Sequence, residues 1–234
     1  MVTAEKSGAR IPLSRERVLS AAVDLADREG IDSLTMRGLA ERVGVEAMSL
    51  YHHIANKEDL LDGVCEVVLD EINEAVAGQP KATGPDDWKQ VMRERILTAR
   101  GVVVRHKWLP PVLETRTTMS PATLRYHHEL LAIFRAGGFS YDLAHHALHA
   151  LGSRALGFTQ VLFDPAPGSD EEEEAMKALE LMLDHLPLIV EMLSEIAHDD
   201  PESTLGWCDD QTEFEFALDI MLDGLDRKLA EETA

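Results

Sequence analysis

Residues 34–60, LTMRGLAERVGVEAMSLYHHIANKEDL, place the strongest constraint on how this chain folds. Drawn as two helices, over 35–42 and 46–53, the segment collects its apolar residues on one face. Gly44 falls at the turn between the two helices. A turn this short needs a positive φ, which glycine adopts without a Cβ penalty. The spacing therefore predicts a helix-turn-helix whose second helix presents an outer face.

The side chains on that outer face indicate what it contacts. They are small, hydroxyl, aromatic and imidazole groups, namely Ala47, Met48, Ser49, Tyr51, His52 and His53. Such groups suit base edges, thymine methyls and phosphates, whereas a purely solvated helix usually carries Glu and Lys. The segment therefore predicts DNA binding. A helical hairpin that only packs on a larger core is the alternative.

The flanking sequence favours the DNA-binding interpretation. Ser14 is suited to cap a helix over 15–29, which carries apolar residues at helical spacing. Asn56 and Asp59 resemble a capping pair at the start of another helix, whose apolar stripe continues toward Ile72. Three helices are expected to form a compact head, and a fourth to leave it.

These motifs resemble the DNA-binding head of the tetracycline-repressor (TetR) family. The matching residues are Gly30, Leu34-Thr35, Leu39-Ala40, Gly44-Val45, Leu50-Tyr51-x-His53, Asn56-Lys57 and Leu60-Leu61. The resemblance implies that double-stranded DNA is contacted from both helices of the motif and from the next helix start. The residues it implies are Thr35, Met36, Arg37, Ala47, Met48, Ser49, Tyr51, His53 and Lys57.

The net charge of −21 is unevenly distributed along the chain. Residues 1–60 hold 8 Lys and Arg against 10 Asp and Glu, a balance of −2, so residues 61–234 carry the other −19. The head is therefore not basic in bulk, and its affinity for DNA is expected to depend on a few placed groups. We expect these to be Arg37 and Lys57, with the arm residues Lys6 and Arg10.

No apolar run approaches the ~20 residues needed to cross a bilayer. The N-terminus lacks the apolar region of a secretory signal, so a cytoplasmic protein is expected. Cys65 and Cys208 are few, far apart in sequence and not in a metal-like spacing, so reduced structural thiols are expected instead of a disulfide. There is no nucleophile elbow, P-loop or dinucleotide fingerprint, so neither an enzyme nor a cofactor is expected.

The rest of the chain also shows helical patterns. A Gly- and Pro-rich break at 77–85 precedes predicted helices at 86–105, 121–136, 140–163 and 211–232, and no strand-like alternation persists. The predicted fold is all-α. Its expected parts are a flexible arm over 1–13, a head with its connecting helix over 14–76, and a ligand-binding and dimerisation domain over 77–234.

The last predicted helix has an apolar face too wide for one neighbour, because Phe216 and Ile220 extend its main stripe. The family resemblance implies a homodimer in which the helices at 140–163 and 211–229 build a four-helix interface. A dimer suits a palindromic operator; a monomer that buries the stripe is the alternative. The expected contacts are Leu148, Leu151, Ala155, Phe214, Leu218, Met221, Leu222, Leu225 and Leu229.

The resemblance also implies a small-molecule effector in the C-terminal domain. In our alignment, positions that hold drug and magnesium in tetracycline-binding members of the family carry Asn73, Val112, Leu130 and Val161 here. Aliphatic side chains offer no lone pair to magnesium, so a mostly hydrophobic organic ligand is expected instead of a tetracycline chelate. The expected lining is Asn73, Trp108, Val112, Arg116, Met119, His127, Leu130, Phe134 and Val161.

Two alternatives stay open for the regulatory signal. His145 and His149 lie four residues apart with His146 between them, so a metal-responsive regulator is one alternative. We nevertheless expect no metal site, because the stretch has no HExxH pattern and Asp142 is the only nearby carboxylate. An architectural or constitutive DNA-binding protein without an effector is the second alternative.

Overall fold

The computed structural model describes residues 12–155, 177, 185–188, 191 and 210–233. Regular structure in this part of the chain is helical throughout, so the all-α prediction is confirmed. Short 3-10 helices lie at Ile31–Ser33 and Val104–His106. The α-helices are α1 Arg15–Glu29, α2 Met36–Val43, α3 Ala47–Leu50, α4 Lys57–Val76, α5 Trp88–Val103, α6 Leu109–Glu114, α7 Pro121–Ala136, α8 Tyr141–Ala155 and α9 Asp210–Thr233.

The two predicted helix starts in the head are confirmed by their capping geometry. Ser14 Oγ accepts a hydrogen bond from Arg17 N at 3.3 Å, and Asn56 Oδ1 accepts one from Asp59 N at 2.9 Å. The Asp59 carboxylate reaches back to Ala55 N at 2.7 Å. Each bond satisfies a backbone donor that a helix start or its entry segment would otherwise leave unpaired.

The second helix of the motif is shorter than predicted. Helix α3 covers Ala47–Leu50 and a turn follows through His53, instead of one helix over 46–53. His53 N and Ile54 N both donate to Leu50 O at 2.8 Å, which tightens the chain into a turn. Leu50 and Ile54 are fully buried, and their burial fixes where the chain leaves the helix.

Other boundaries differ less from the predictions. Helix α5 ends at Val103, and the predicted end of that segment forms the 3-10 helix Val104–His106. Ser140 caps α8 by accepting a hydrogen bond from Leu143 N at 3.0 Å. Residues 156–163 of that predicted helix lie outside the described residues. Helix α6, which the sequence analysis missed, begins with two prolines in its first turn, where a missing N–H costs nothing.

The chain forms two compact units, Met1–Ala144 and His145–Ala234. Within the first unit, α4 packs against α1, α5 and α7. Helix α4 therefore joins the predicted head directly to the helices that follow it. In the described part of the chain, no helix is both long and apolar enough to cross a membrane.

Candidate nucleic-acid interface and effector cavities

The turn of the helix-turn-helix has the conformation that the sequence predicts. Gly44 follows α2 with φ 75° and ψ 39°, and its N–H donates to Ala40 O at 3.0 Å. Leu34, Leu39 and Leu50 are fully buried. Leu34 lies before α2, Leu39 within α2 and Leu50 at the end of α3, so both sides of the turn are anchored and α3 is held in a fixed orientation.

The outer face of this motif is open to solvent. The Met48 side chain is 71% exposed and Tyr51 is 46% exposed. Lys57 is exposed at the first residue of α4, close in sequence to the turn. Ala47, Ser49 and His53 are half-buried. The face therefore combines apolar, aromatic and cationic groups that have no role in the head's own core.

The three residues expected to contact DNA from α2 have different surroundings. Thr35 is the N-cap, and its Oγ1 accepts from Gly38 N at 3.0 Å. Met36 is half-buried. Arg37 is 89% exposed, and its Nε lies 3.2 Å from Glu41 Oε1 one helical turn later. Of the three, Arg37 is the exposed cation.

Arg15 of α1, which the sequence analysis missed, fixes the turn after α3. Its Nη1 donates to His53 O at 2.7 Å, and its Nη2 donates to Asp59 Oδ1 at 2.7 Å. The hydrogen bond from Arg15 lowers the pKa of Asp59. Next to a capping serine, Arg15 resembles an ordinary exposed residue, so only the tertiary structure identifies its role.

A polar cluster joins the head to the segment before α6. Asp27 Oδ1 on α1 accepts from Trp108 Nε1 at 2.6 Å and lies 2.8 Å from His106 Nδ1. His106 Nε2 lies 3.2 Å from Glu71 Oε2 on α4, and Glu71 also pairs with Arg105. Burial raises the pKa of Glu71, but hydrogen bonds from Arg105 and His106 outweigh it and leave the pKa lowered.

Arg116 provides a second connection to α4. Its Nη1 donates to Glu58 Oε2 at 2.8 Å and to Asp62 Oδ1 at 3.1 Å, and its side chain is only 12% exposed. Glu58 lies next to Lys57 at the start of α4. A shift of the segment around Arg116 would therefore act on the helix start beside the candidate DNA-binding face.

Two of the cavities lined by described residues of the first unit contain few of the residues predicted to bind an effector. One of about 670 Å³ is lined by Asn73, Val76, Ala77, Gln79, Lys81, Arg95, Leu124, Arg125, His128 and Glu129. The other, of about 400 Å³, includes Arg116 and Met119 in its lining. Asn73 Nδ2 also donates to Ala122 O at 3.0 Å, which holds α7 against α4.

The other predicted effector residues line neither cavity. Trp108, Val112 and Leu130 are buried, and Phe134 is fully buried in an aromatic cluster with Trp88 and Phe139. His127 is half-buried, and Val161 lies outside the described residues. Their contact with a ligand stays a prediction.

The residues predicted for a dimer interface are largely covered within one chain. The main stripe of α9 is buried there, and it comprises Phe214, Leu218, Leu222, Leu225 and Leu229. Leu151 is also buried, Met221 and Leu148 are half-buried, and the side chain of Ala155 lies outside the described residues. The exposed apolar groups of α9 are instead Phe216 at 65% and Ile220 at 54%. Periodicity alone does not reveal which of two apolar faces points inward.

The histidine-rich segment lies on α8. His145, His146 and His149 are exposed, and the rings of His145 and His149 lie 4.6 Å apart, edge to face. Over the described residues, no group of three or more His, Cys, Asp or Glu side chains is arranged to hold a metal. Cys65 is a buried free thiol, and burial raises its pKa to about 12. Cys208 lies outside the described residues.

A helix-turn-helix with an exposed, partly cationic face on an all-α chain defines a DNA-binding regulator. Residues 18–64 match the model for bacterial regulatory proteins of the tetR family, and residues 79–229 match the model for the tetracyclin repressor-like C-terminal domain. The second match alone spans more than half of the chain, so this chain belongs to the TetR family of transcriptional regulators.

Individual relatives agree with this assignment. The tetracycline repressor protein class A from transposon 1721 of Escherichia coli is 30% identical over 223 residues, which cover 92% of each chain. The HTH-type transcriptional repressor DrrR1 of Streptomyces coeruleorubidus is 25% identical over 228 residues, which cover 96% of this chain and 81% of that one.

Solved structures share the fold. A protein described as a possible TetR family transcriptional regulator from Streptomyces coelicolor A3(2) is 29% identical, with a TM-score of 0.70 over 91% of this chain and 98% of the other. The TetR family protein ActR of Streptomyces coelicolor, in complex with actinorhodin, has a TM-score of 0.69 at 23% identity. That comparison covers 92% of this chain and 95% of ActR.

Proposed function

We propose that this chain is a homodimeric transcriptional repressor that binds a palindromic operator and leaves it when a small organic ligand binds. The observation that carries the proposal is the exposure of Met48 and Tyr51 in the helix-turn-helix and of Lys57 at the start of α4, while the apolar core of the head is buried. Methionine and tyrosine can contact bases and sugars, and the ammonium can contact a phosphate. One short helix reads few base pairs, so two heads are needed for specificity.

The ligand-responsive part of the proposal is supported by the connections between the head and later helices. Asp27 ties α1 to Trp108 and His106, and Arg116 ties its own segment to Glu58 and Asp62. A ligand that prefers a different arrangement of α4 to α7 would therefore change the position of the head. ActR, which shares the fold, has been solved in complex with actinorhodin.

The dimer is proposed to use the exposed apolar groups of α9, Phe216 and Ile220, together with α8. These two residues lie four positions apart on one helix face. A second copy of the chain would remove both from water. The double variant Phe216→Glu with Ile220→Glu is expected to sediment as a monomer, whereas the exposed control Gln211→Glu should stay dimeric. A monomeric wild type at micromolar concentration would contradict the dimer.

The DNA contact is tested by gel shift on the palindrome selected by the purified chain. Tyr51→Ala and Lys57→Ala should each weaken binding about tenfold without changing the dimer, and Lys57→Ala should also lower the salt slope by about one. Lys107→Ala, an exposed lysine outside the head, is the matched control. Unchanged affinity in both head variants would contradict the assigned interface.

The regulatory signal is tested by adding each compound of a panel to the protein–operator complex and measuring whether the protein dissociates from the DNA. A hydrophobic organic ligand is expected to release the DNA, whereas magnesium–tetracycline is not, because Val112 and Leu130 replace polar ligands at two of the aligned positions. Release only by zinc or nickel would support the metal-responsive alternative. Release by nothing in the panel would favour a regulator without an effector.

A further inference from the structure

The cavity between α4, α5 and α7 contains two buried polar atoms without a partner. They are Arg95 Nε and Gln79 Oε1, and both residues line the 670 Å³ cavity. Gln79 uses its amide nitrogen internally, donating to Thr98 Oγ1 at 2.7 Å and to Glu94 O at 3.3 Å. A buried polar atom left without a partner is costly, so two at one cavity indicate a missing partner.

Arg95 is the more informative of the two. The residue is only 7% exposed, and its guanidinium makes no ion pair within the described part of the chain. Its recorded contact is with the ring of Tyr126, whose centroid lies 5.8 Å from Arg95 Cζ. Such cation–π contact offsets only a fraction of the cost of removing a guanidinium from water. A buried cationic group with one weak partner, lining a cavity, is a candidate for a ligand-binding residue.

The charges around the cavity favour an anion. Three cations, Lys81, Arg95 and Arg125, line it together with one carboxylate, Glu129, and His128. Arg125 is paired with Asp70, so Arg95 is the buried charge that is left to a ligand. This cationic lining contrasts with a chain whose net charge is −21. The rest of the lining combines the apolar Val76, Ala77 and Leu124 with the amides of Asn73 and Gln79.

We infer that the effector is an amphipathic organic anion, whose acidic group pairs with Arg95 and whose apolar body lies against α4 and α7. This inference rests on the proposed ligand-responsive function and names the ligand's chemical class. A volume of about 670 Å³ is within the range that binds drug-sized molecules.

Two fluorescent probes of similar size, one anionic and one neutral, test the inference. They are the anion 8-anilinonaphthalene-1-sulfonate and the neutral N-phenyl-1-naphthylamine, titrated into the full chain. Arg95→Met should weaken binding of the anion by about tenfold or more and leave the neutral probe within about threefold. Arg95→Lys should restore part of the anion's affinity. The control Lys107→Gln should change neither probe.

Two further measurements separate ligand recognition from a structural role. Arg95→Met should raise the melting temperature of the ligand-free protein by a few degrees, because it removes an unpaired buried charge. Ala77→Trp, at an exposed residue that lines the cavity, should weaken both probes by filling their site. This variant keeps the site testable even where a change at Arg95 disturbs folding.

The possible failures are distinguishable. Equal loss of both probes in Arg95→Met, or a lower melting temperature, would show that Arg95 supports the fold and would overturn the inference. Binding of the neutral probe alone to wild type would overturn anion recognition but not the proposed ligand site. Binding of neither probe to wild type would overturn the cavity as the effector site, and with it this part of the proposed function.

Discussion

The head and the cavity between α4, α5 and α7 differ in whether their polar groups have hydrogen-bond partners. In the head, Thr35 and Asn56 cap their helices, and Arg15 holds both a backbone carbonyl and a carboxylate. At the cavity, Gln79 and Arg95 each leave one buried atom without a partner. These polar groups of the head are hydrogen-bonded in the absence of DNA, whereas two buried polar atoms at the cavity have no hydrogen-bond partner in the absence of a ligand.

This difference fits two kinds of recognition. A surface that binds DNA gains from a rigid backbone, because the segment that carries the exposed Met48 and Tyr51 then loses little backbone entropy on binding. A regulatory site gains from an unsatisfied group, since a ligand that satisfies it stabilises one conformation over another. The comparison predicts that substitutions inside the head destabilise it, and that one substitution in the cavity stabilises the chain.

The largest effect is expected from truncating the core of the head. Leu50 is fully buried, so Leu50→Ala should lower the free energy of unfolding by about 2–5 kcal/mol. Met48→Ala, two residues away and 71% exposed, should change it by less than about 0.5 kcal/mol. Urea titrations of both variants provide the measurement. If Leu50→Ala lowered the free energy of unfolding only slightly, the core of the head would not be the rigid part of the molecule.

The head was predictable because its signals are local. Gly44 at the turn, the cap at Ser14 and the capping pair Asn56 and Asp59 each act within a few residues of themselves. Helix α3 was predicted too long, since the turn after Leu50 depends on long-range burial and on Arg15 of another helix.

The cavity was not predictable from local signals. Arg95 lies in the middle of a helix where a pattern analysis expects an exposed cation, and only the packing of α5 against α4 and α7 buries it. Of the residues predicted to bind the effector, Asn73 lines the larger cavity. For α9 the helix was predicted within a residue or two, but the sequence does not reveal that Phe216 and Ile220 form the exposed side.

An intermediate effect is expected from the Arg15–Asp59 pair. Arg15→Met should lower the free energy of unfolding by about 1–2 kcal/mol. The value is modest because the side chains of Arg15 and Asp59 are 41% and 30% exposed. This pair lowers the pKa of Asp59 in the folded protein. The pair therefore contributes fully to stability above the ordinary pKa of a carboxyl group, and the contribution is lost as the pH falls from that value through the lowered pKa of folded Asp59.

The measurement is urea unfolding of wild type and Arg15→Met between about pH 7 and pH 3. The stability difference between them should be constant near neutral pH and shrink in acid. The exposed arginine control Arg28→Met should show no such dependence. A difference that stays constant into acid would show that Arg15 acts through the His53 carbonyl instead of the carboxylate.

The smallest effect is expected at the exposed pair of Arg37 and Glu41. Both side chains are mostly exposed, at 89% and 70%, so Glu41→Gln should change the free energy of unfolding by no more than about 0.5 kcal/mol.

The effect of Glu41→Gln on DNA binding should be larger than its effect on the fold, because the substitution removes a negative charge near the phosphates and frees Arg37 to contact a phosphate. Operator affinity should rise a few-fold at low salt, and the gain should fade as salt screens the exposed charges. Gel shifts at several salt concentrations, with Glu29→Gln at the exposed end of α1 as the control, measure this. Weaker binding in Glu41→Gln would mean that the pair orients Arg37 for DNA, and the head would then be preorganised in its surface charges as well as in its core.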